Sequence, residues 1–391
     1  MTRSLRLLRR CWSLLLAGLV LACVEPFEPN LNLEGQRLTV EGRITDADEP
    51  QVVKLSYALA KPFSEFEIAP IGGASVQVIV NGQTTLTLGE TTPGTYSLPA
   101  GFRGKVGERY QLRLVLPNGV RYESGEETMP AVAKIDTAYD RFDAQGIVRN
   151  AEKTNFWPAH NVYVNFTDPS GQRNFYGWEW TLWEKQDWCI SCQRSLLINE
   201  RCAGFATAAP TGWYDYNCRT KCWDLFFSEQ PVVFADTYSD GRTVTAQLTA
   251  RIPYYQAAGP TTGGALVELR QFALSPGAYR YYKLLLDQTQ NTGGLADTPP
   301  APLVGNVRNL TDPDEIVTGY FTASAVAKYR HWIDRRTGSG PPIGLFQANT
   351  GRNPNPEPFN CPPMGDCRPP TMICYPSGTR TPDQPDGWQG F

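Results

Sequence analysis

Cysteine, histidine and clustered aromatic rings are the side chains of this 391-residue chain that could do chemistry. Cysteine offers disulfides or thiolate ligation of a metal, and histidine offers acid–base catalysis. Clustered rings offer stacking surfaces for sugars or other apolar ligands. Of the ten cysteines, Cys11 belongs to an N-terminal leader and Cys23 follows it directly. Cys189, Cys192, Cys202, Cys218 and Cys222 fall in one segment, and Cys361, Cys367 and Cys374 in another. Both groups are odd. If all eight pair, at least one bridge must join the two segments. Cys189-x2-Cys192 followed by Cys218-x3-Cys222 also outlines a four-cysteine zinc site, but an exported chain favours disulfides, which are expected here.

Thirteen aromatic residues lie between Phe175 and Phe227. They read either as a thin core for a disulfide-stapled subdomain or as a recognition surface. Trp178 and Trp180 share a strand face and suit a core. Trp213, Tyr214 and Tyr216 are the expected exposed members, with Trp188 and Trp223 as further ligand-binding candidates. Only His160 and His331 are present, and both suit structural roles. Asp312, Asp314 and Glu315 read as a solvated turn, and Asp46 with Asp48 is a weak calcium motif. No phosphate-binding glycine loop appears. No catalytic residue, metal or cofactor is therefore expected.

The chain's location is easier to read. Arg3, Arg6, Arg9 and Arg10 precede an apolar run from Trp12 to Ala22, and Cys23 follows the small Ala22. A basic start, a short apolar stretch and a small residue before the cut describe an export signal. Cysteine just after it describes a lipoprotein, with lipid on Cys23. The run falls short of the roughly 20 residues needed to span a bilayer. Without residues 1–22 the chain keeps 32 bases against 39 acids, a balance that argues against nucleic acid as a partner.

The elements that must position these residues are strands. Residues 23–36 read as a tether. From Arg37 the apolar period is two: Leu38 and Val40, Val53 and Leu55, Val76 and Val78, Tyr110, Leu112 and Leu114. Asn81-Gly82 marks a tight hairpin. About seven strands with regular turns predict an immunoglobulin-like β-sandwich over 37–130. A second β-rich sandwich is expected over 131–334, with one helix at Pro276 to Gln290, an apolar strand through Ile316 to Ile333, and a Cys- and aromatic-rich insertion at 185–229. The tail, 335–391, holds 12 Pro and 8 Gly in 57 residues, and its three cysteines suggest that it is pinned down.

Several stretches together resemble a Bacteroidota outer-membrane lipoprotein family known as domain of unknown function 4249. They are Leu38 to Thr45, Gly73 to Val78, Gly94 to Tyr96, Gly107 to Tyr110, Gly305 to Val307, Asp312 to Glu315 and Gly319 to Val326, with Cys374 to Trp388 echoing the family's ending. The resemblance implies an outer-membrane lipoprotein, on either face, that is a non-catalytic accessory or ligand-capturing partner of a TonB-dependent receptor. A stand-alone surface glycan-binding protein is the alternative. The wider spacing of Cys367 and Cys374 departs from the family's closely spaced pair.

Overall fold

The computed structural model describes residues 36–59, 67–150, 154–204, 212–229, 231–256, 263–289, 303–359, 361 and 367–390. The leader, Cys23 and most of the tether lie outside the described residues. The chain divides into two units. One is Met1–Gln36 with Leu59–Glu67, of which only residues 36, 59 and 67 are described. The other, Arg37–Ala58 with Ile68–Phe391, holds nearly all of the described residues.

Strict alternation builds its first part. In chain order come β1 (Gln36–Thr45), β2 (Val52–Leu59), β3 (Glu67–Pro70), β4 (Ser75–Val80), β5 (Thr84–Thr92), β6 (Thr95–Ser97), β7 (Arg109–Val115), β8 (Arg121–Ser124) and β9 (Glu127–Thr128). Successive side chains on a strand point to opposite faces. Leu38 and Val40, Val76 and Val78, and Leu112 and Leu114 therefore all turn into one buried core. Asn81 and Gly82 both adopt positive φ, and the Gln83 N–H closes the turn on the Val80 carbonyl at 3.0 Å. Midway, β5 changes partner. Thr84 to Leu88 pair with β4, and Gly89 to Thr92 pair with β6. This switch folds the strands over a common core.

The second part begins with β10 (Ile135–Val148), β11 (Phe156–Thr167) and β12 (Phe175–Lys185). The insertion comes next, as two hairpins. In them β13 (Trp188–Gln193) pairs with β16 (Trp213–Asn217), and β14 (Leu196–Ile198) pairs with β15 (Arg201–Ala203). The chain then re-enters the domain through β17 (Trp223–Phe227), β18 (Val232–Ala235), β19 (Thr243–Pro253) and β20 (Gly264–Ala273). Helix α1 (Pro276–Thr289) is reached after these strands, with the Ser275 hydroxyl accepting from the Ala278 N–H at 3.1 Å. That is the expected cap, with Pro276 at the first helical position, where its missing N–H costs nothing.

After the helix come β21 (Val307–Asn309), β22 (Phe321–Ser324), β23 (Val326–Asp334), the short helix α2 (Leu345–Thr350) and β24 (Arg380–Thr381). The single strand expected through Ile316 to Ile333 is two. β22 runs parallel to β1, with Gly42 opposite Phe321, whereas β23 pairs with β20. The chain thus returns to complete the N-terminal sheets, whose order is β21-β8-β7-β4-β5-β6-β2-β1-β22, with β3 and β9 added. The return requires glycine at 319. That residue has φ +83°, and a Cβ there would sit 2.2 Å from the Val40 carbonyl oxygen.

The rest forms a three-stranded sheet, β10-β11-β19, facing a six-stranded one built on β23-β20-β12-β17-β24 with β18 beside β12. Val162, Val164, Phe166, Trp178, Val267 and Ile333 share the core between them. Across the seam to the N-terminal sandwich, Arg43 makes a two-pronged bond to Glu179 at 2.9 and 2.7 Å and lies 4.0 Å over the Phe272 ring. Arg270 pairs with Glu49 beside it. Fold class agrees with the sequence expectation: nearly all strand, in sandwich- or barrel-like sheets.

Candidate binding cleft

The insertion's rings are not laid out as a platform. Tyr214 and Tyr216 were expected to be exposed, but they are 5% and 1% exposed, and Trp223 is equally buried. Tyr214 stands opposite Cys192 across the β13–β16 hairpin. The Tyr216 hydroxyl donates to Glu357 at 2.7 Å and accepts from the Leu197 N–H at 3.0 Å. Burial, then the Glu357 carboxylate, pushes that phenol up to about 12. Trp223 meets Trp388 of the tail edge-on at 5.7 Å. Trp188, half-buried, lies against Phe346, and half-buried Trp213 lies under the Arg352 guanidinium at 4.9 Å. The reason is geometric: the tail closes over the insertion and turns its rings into core. A hairpin pair this small needs large side chains to bury enough surface.

The cysteines complete that arrangement. The bridges are Cys189–Cys218, Cys192–Cys202, Cys222–Cys374 and Cys361–Cys367. Cys222–Cys374 is the link from insertion to tail. Cys192 pairs away from the spacing that outlined zinc. The sulfurs of Cys189, Cys222 and Cys374 do lie within 4.8 Å of one another, but as parts of two adjacent bridges they offer no thiolate. Two ion pairs tie the tail to the insertion, Arg352 to Asp215 and Arg380 to Asp224, and Arg368 pairs with Glu357 within the tail. Burial opposes ionisation of Asp215, yet Arg352, Ser191 and the Asn355 N–H together hold its carboxyl below the usual range.

Both histidines converge on one carboxylate. Asp140 accepts from His160 Nδ1 and from His331 Nε2, each at 2.7 Å. Burial opposes its ionisation, but the two imidazoles more than offset that and hold the carboxyl well below the usual range. An Asp–His pair bonded through Nδ1 is half of a catalytic triad, because it leaves Nε2 to act as base. Here Nε2 of His160 is sealed from solvent and meets no polar partner among the described residues. The rings of Phe142 and Tyr254 pack on that imidazole. The grouping staples β10 to the facing sheet's β23. Sequence spacing hides it, since 171 positions separate the histidines.

In the two acidic loops, the carboxylates of Glu315, Asp312, Asp46 and Asp48 each have a partner. Glu315 accepts from the Tyr122 hydroxyl and the Asn309 amide, and Asp312 and Asp314 shape the same turn. Asp46 accepts from the Val326 N–H at 2.8 Å, and Asp48 pairs with Arg103.

A cleft of about 860 Å³ opens elsewhere, where β12 changes neighbour. β17 pairs with β12 from Thr181 to Lys185, and β18 pairs with it from Phe175 to Trp178. Between them Ser228 takes over, donating its N–H to the Trp180 carbonyl at 3.0 Å and accepting from the Trp180 N–H at 3.2 Å. β17 ends at Phe227 and β18 begins at Val232, and Glu229 and Pro231 line the cleft between them. Trp157, Trp180, Phe226, Phe227 and Tyr255 line it, with Lys283 and Asp287 of α1 at its edge. Phe227 is 50% exposed, and Phe226 stacks on Tyr255 at 5.2 Å. Burial pushes the Tyr255 phenol up to about 12. A concave, ring-lined space with a few polar groups is the usual form of a small-ligand site. Of these residues, the sequence pattern singles out only Trp180, and as core. Their spread from 157 to 287 carries no local signal.

No curated protein and no solved structure matches this chain. A family profile does match, over residues 24–330, ending before the tail. On that match the chain belongs to the family described as "Domain of unknown function (DUF4249)".

Proposed function

We propose that this protein is a lipid-anchored, non-catalytic component of the outer membrane that captures a ligand and serves a TonB-dependent receptor in nutrient uptake. The observation that carries the reading is the cleft, an open space lined by the rings of Trp157, Trp180, Phe226, Phe227 and Tyr255. The leader ending in Ala22-Cys23 supports the anchor, and the resemblance of the sequence to receptor-associated lipoproteins supports the partner. Lipid on Cys23 would hold the protein at the membrane, the N-terminal sandwich would act as spacer or docking module, and the cleft would hold cargo. The insertion's aromatics serve this reading as core. That moves recognition away from Trp188, Trp213, Tyr214, Tyr216 and Trp223.

The test is to isolate the native protein from detergent-solubilised outer membranes and identify what accompanies it by mass spectrometry. A TonB-dependent barrel at one-to-one stoichiometry is expected, and Cys23→Ser should move the protein into the soluble fraction. Recovery of the protein alone would overturn the receptor partnership and favour a surface glycan-binding protein working by itself.

A further inference from the structure

The cleft has a neighbour. A second cavity of about 700 Å³ lies at the seam with the N-terminal sandwich, and Glu229 and Pro231 line both. Helix α1 also serves both, giving Lys283 and Leu286 to the first and Tyr282 and Leu285 to the second. A ligand that passes along the helix and past Glu229 and Pro231 would occupy the two together.

The two ends differ in chemistry. The first is walled by rings. The second is walled by paired charges, with Arg43, Lys54 and Arg270 set against Glu41, Glu49 and Glu179. A wholly apolar ligand would strip water from those charges with nothing to replace it. Over both cavities six basic side chains face five carboxylates, so neither an anion nor a cation gains from the field. An extended peptide would need a free strand edge, and at Trp180 that edge is already bonded to Ser228. What fits is a long, uncharged molecule with apolar faces and many hydroxyls. Pyranose rings stack their C–H faces on aromatics, and their neighbouring hydroxyls bond to forked guanidinium and carboxylate ends.

Building on the cleft as a capture site, we propose that the two cavities form one groove for an uncharged oligosaccharide, its rings on Trp180 and Phe227 and its hydroxyls among the charged pairs at the seam.

The experiment is calorimetric titration of the full-length, detergent-solubilised protein. Its probes are cellohexaose, xylohexaose, maltohexaose and mannohexaose, their trisaccharides, hexagalacturonate, laurate, and a mixed-sequence hexapeptide. At least one neutral hexasaccharide should bind, at least tenfold more tightly than its trisaccharide, which fills one cavity only. Phe227→Ala, at an exposed ring, and Lys54→Ala, at the far cavity, should each weaken binding tenfold or more with circular dichroism unchanged. Preferential binding of laurate, hexagalacturonate or the peptide, lost in Phe227→Ala, would overturn the saccharide while leaving the cleft as a capture site. Binding by none of the probes would overturn both, and receptor co-purification would then test the partnership separately.

Discussion

The N-terminal sandwich and the insertion with its tail solve the same problem by opposite means. The sandwich is held by aliphatic packing. Leu38, Val40, Val53, Val76, Val78 and Leu112 are wholly buried, and no disulfide lies in it among the described residues. The insertion and tail bury smaller clusters, one of Cys192, Leu197, Tyr214, Tyr216 and Met372 and another of Trp223 with Trp388. They compensate with four bridges and three Arg–carboxylate pairs, of which Cys222–Cys374, Arg352–Asp215 and Arg380–Asp224 join segments far apart in sequence. Where apolar area suffices, alternation alone specifies structure. Where it does not, covalent and ionic links supply what packing cannot.

The largest effect should come from the sandwich. Leu112→Ala should cost about 3–5 kcal/mol through lost burial and a residual cavity, read by urea denaturation. The loss should appear across β1 to β9 together, and a value below about 1 kcal/mol would mean that the core around Leu112 is not close-packed. Next, removing the Cys222–Cys374 bridge by Cys222→Ala with Cys374→Ala should cost about 2–4 kcal/mol. Hydrogen exchange should report that loss at 213–227 and 368–390 while the sandwich stays protected. Uniform loss would erase the distinction between the regions.

The smallest effect separates the regions by sign. The Asp215 carboxyl is held below its ordinary range by Arg352, and Glu357 is lowered by Arg368 and Tyr216 against the pull of burial. A depressed carboxyl contributes stability that is present above its unfolded pKa and lost as pH falls through its folded one. Glu127, in the sandwich, is raised by burial, so its contribution is present in acid and lost as pH rises through its folded pKa. Acidifying from pH 7 to about 3 should therefore loosen the insertion and tail before the sandwich. Arg352→Met, which strands the buried Asp215, should cost about 1–3 kcal/mol at pH 7 and less in acid. An unchanged acid profile in the variant would sink the assignment.

What the sequence made legible divides along the same line. The sandwich strands could be read because each carries its own period-two signal, and the Asn81-Gly82 turn announces itself locally. The odd cysteine counts showed that tail and insertion are joined, since parity needs no geometry. The fate of the rings could not be read. Tyr214 and Tyr216 have the same local sequence whether covered or bare, and only the tail, some 140 positions on in the case of Glu357, decides it. The cleft and the Asp140 staple were hidden for the same reason, being built from strands that meet only after folding.

The parallel pairing of β1 with β22 carries a mechanical consequence. β1 begins at Gln36, next to the tether, and lies between β2 and β22. A pull on the chain from its N-terminal end acts along β1. The hydrogen bonds on both its flanks are then loaded in shear and must fail together, whereas an edge hairpin peels open one bond at a time. Val40 and Gly42 donate to the Thr318 and Tyr320 carbonyls, and the Thr318 N–H donates back to the Leu38 carbonyl. A protein moored by that end would transmit tension into its body without unravelling from the anchor.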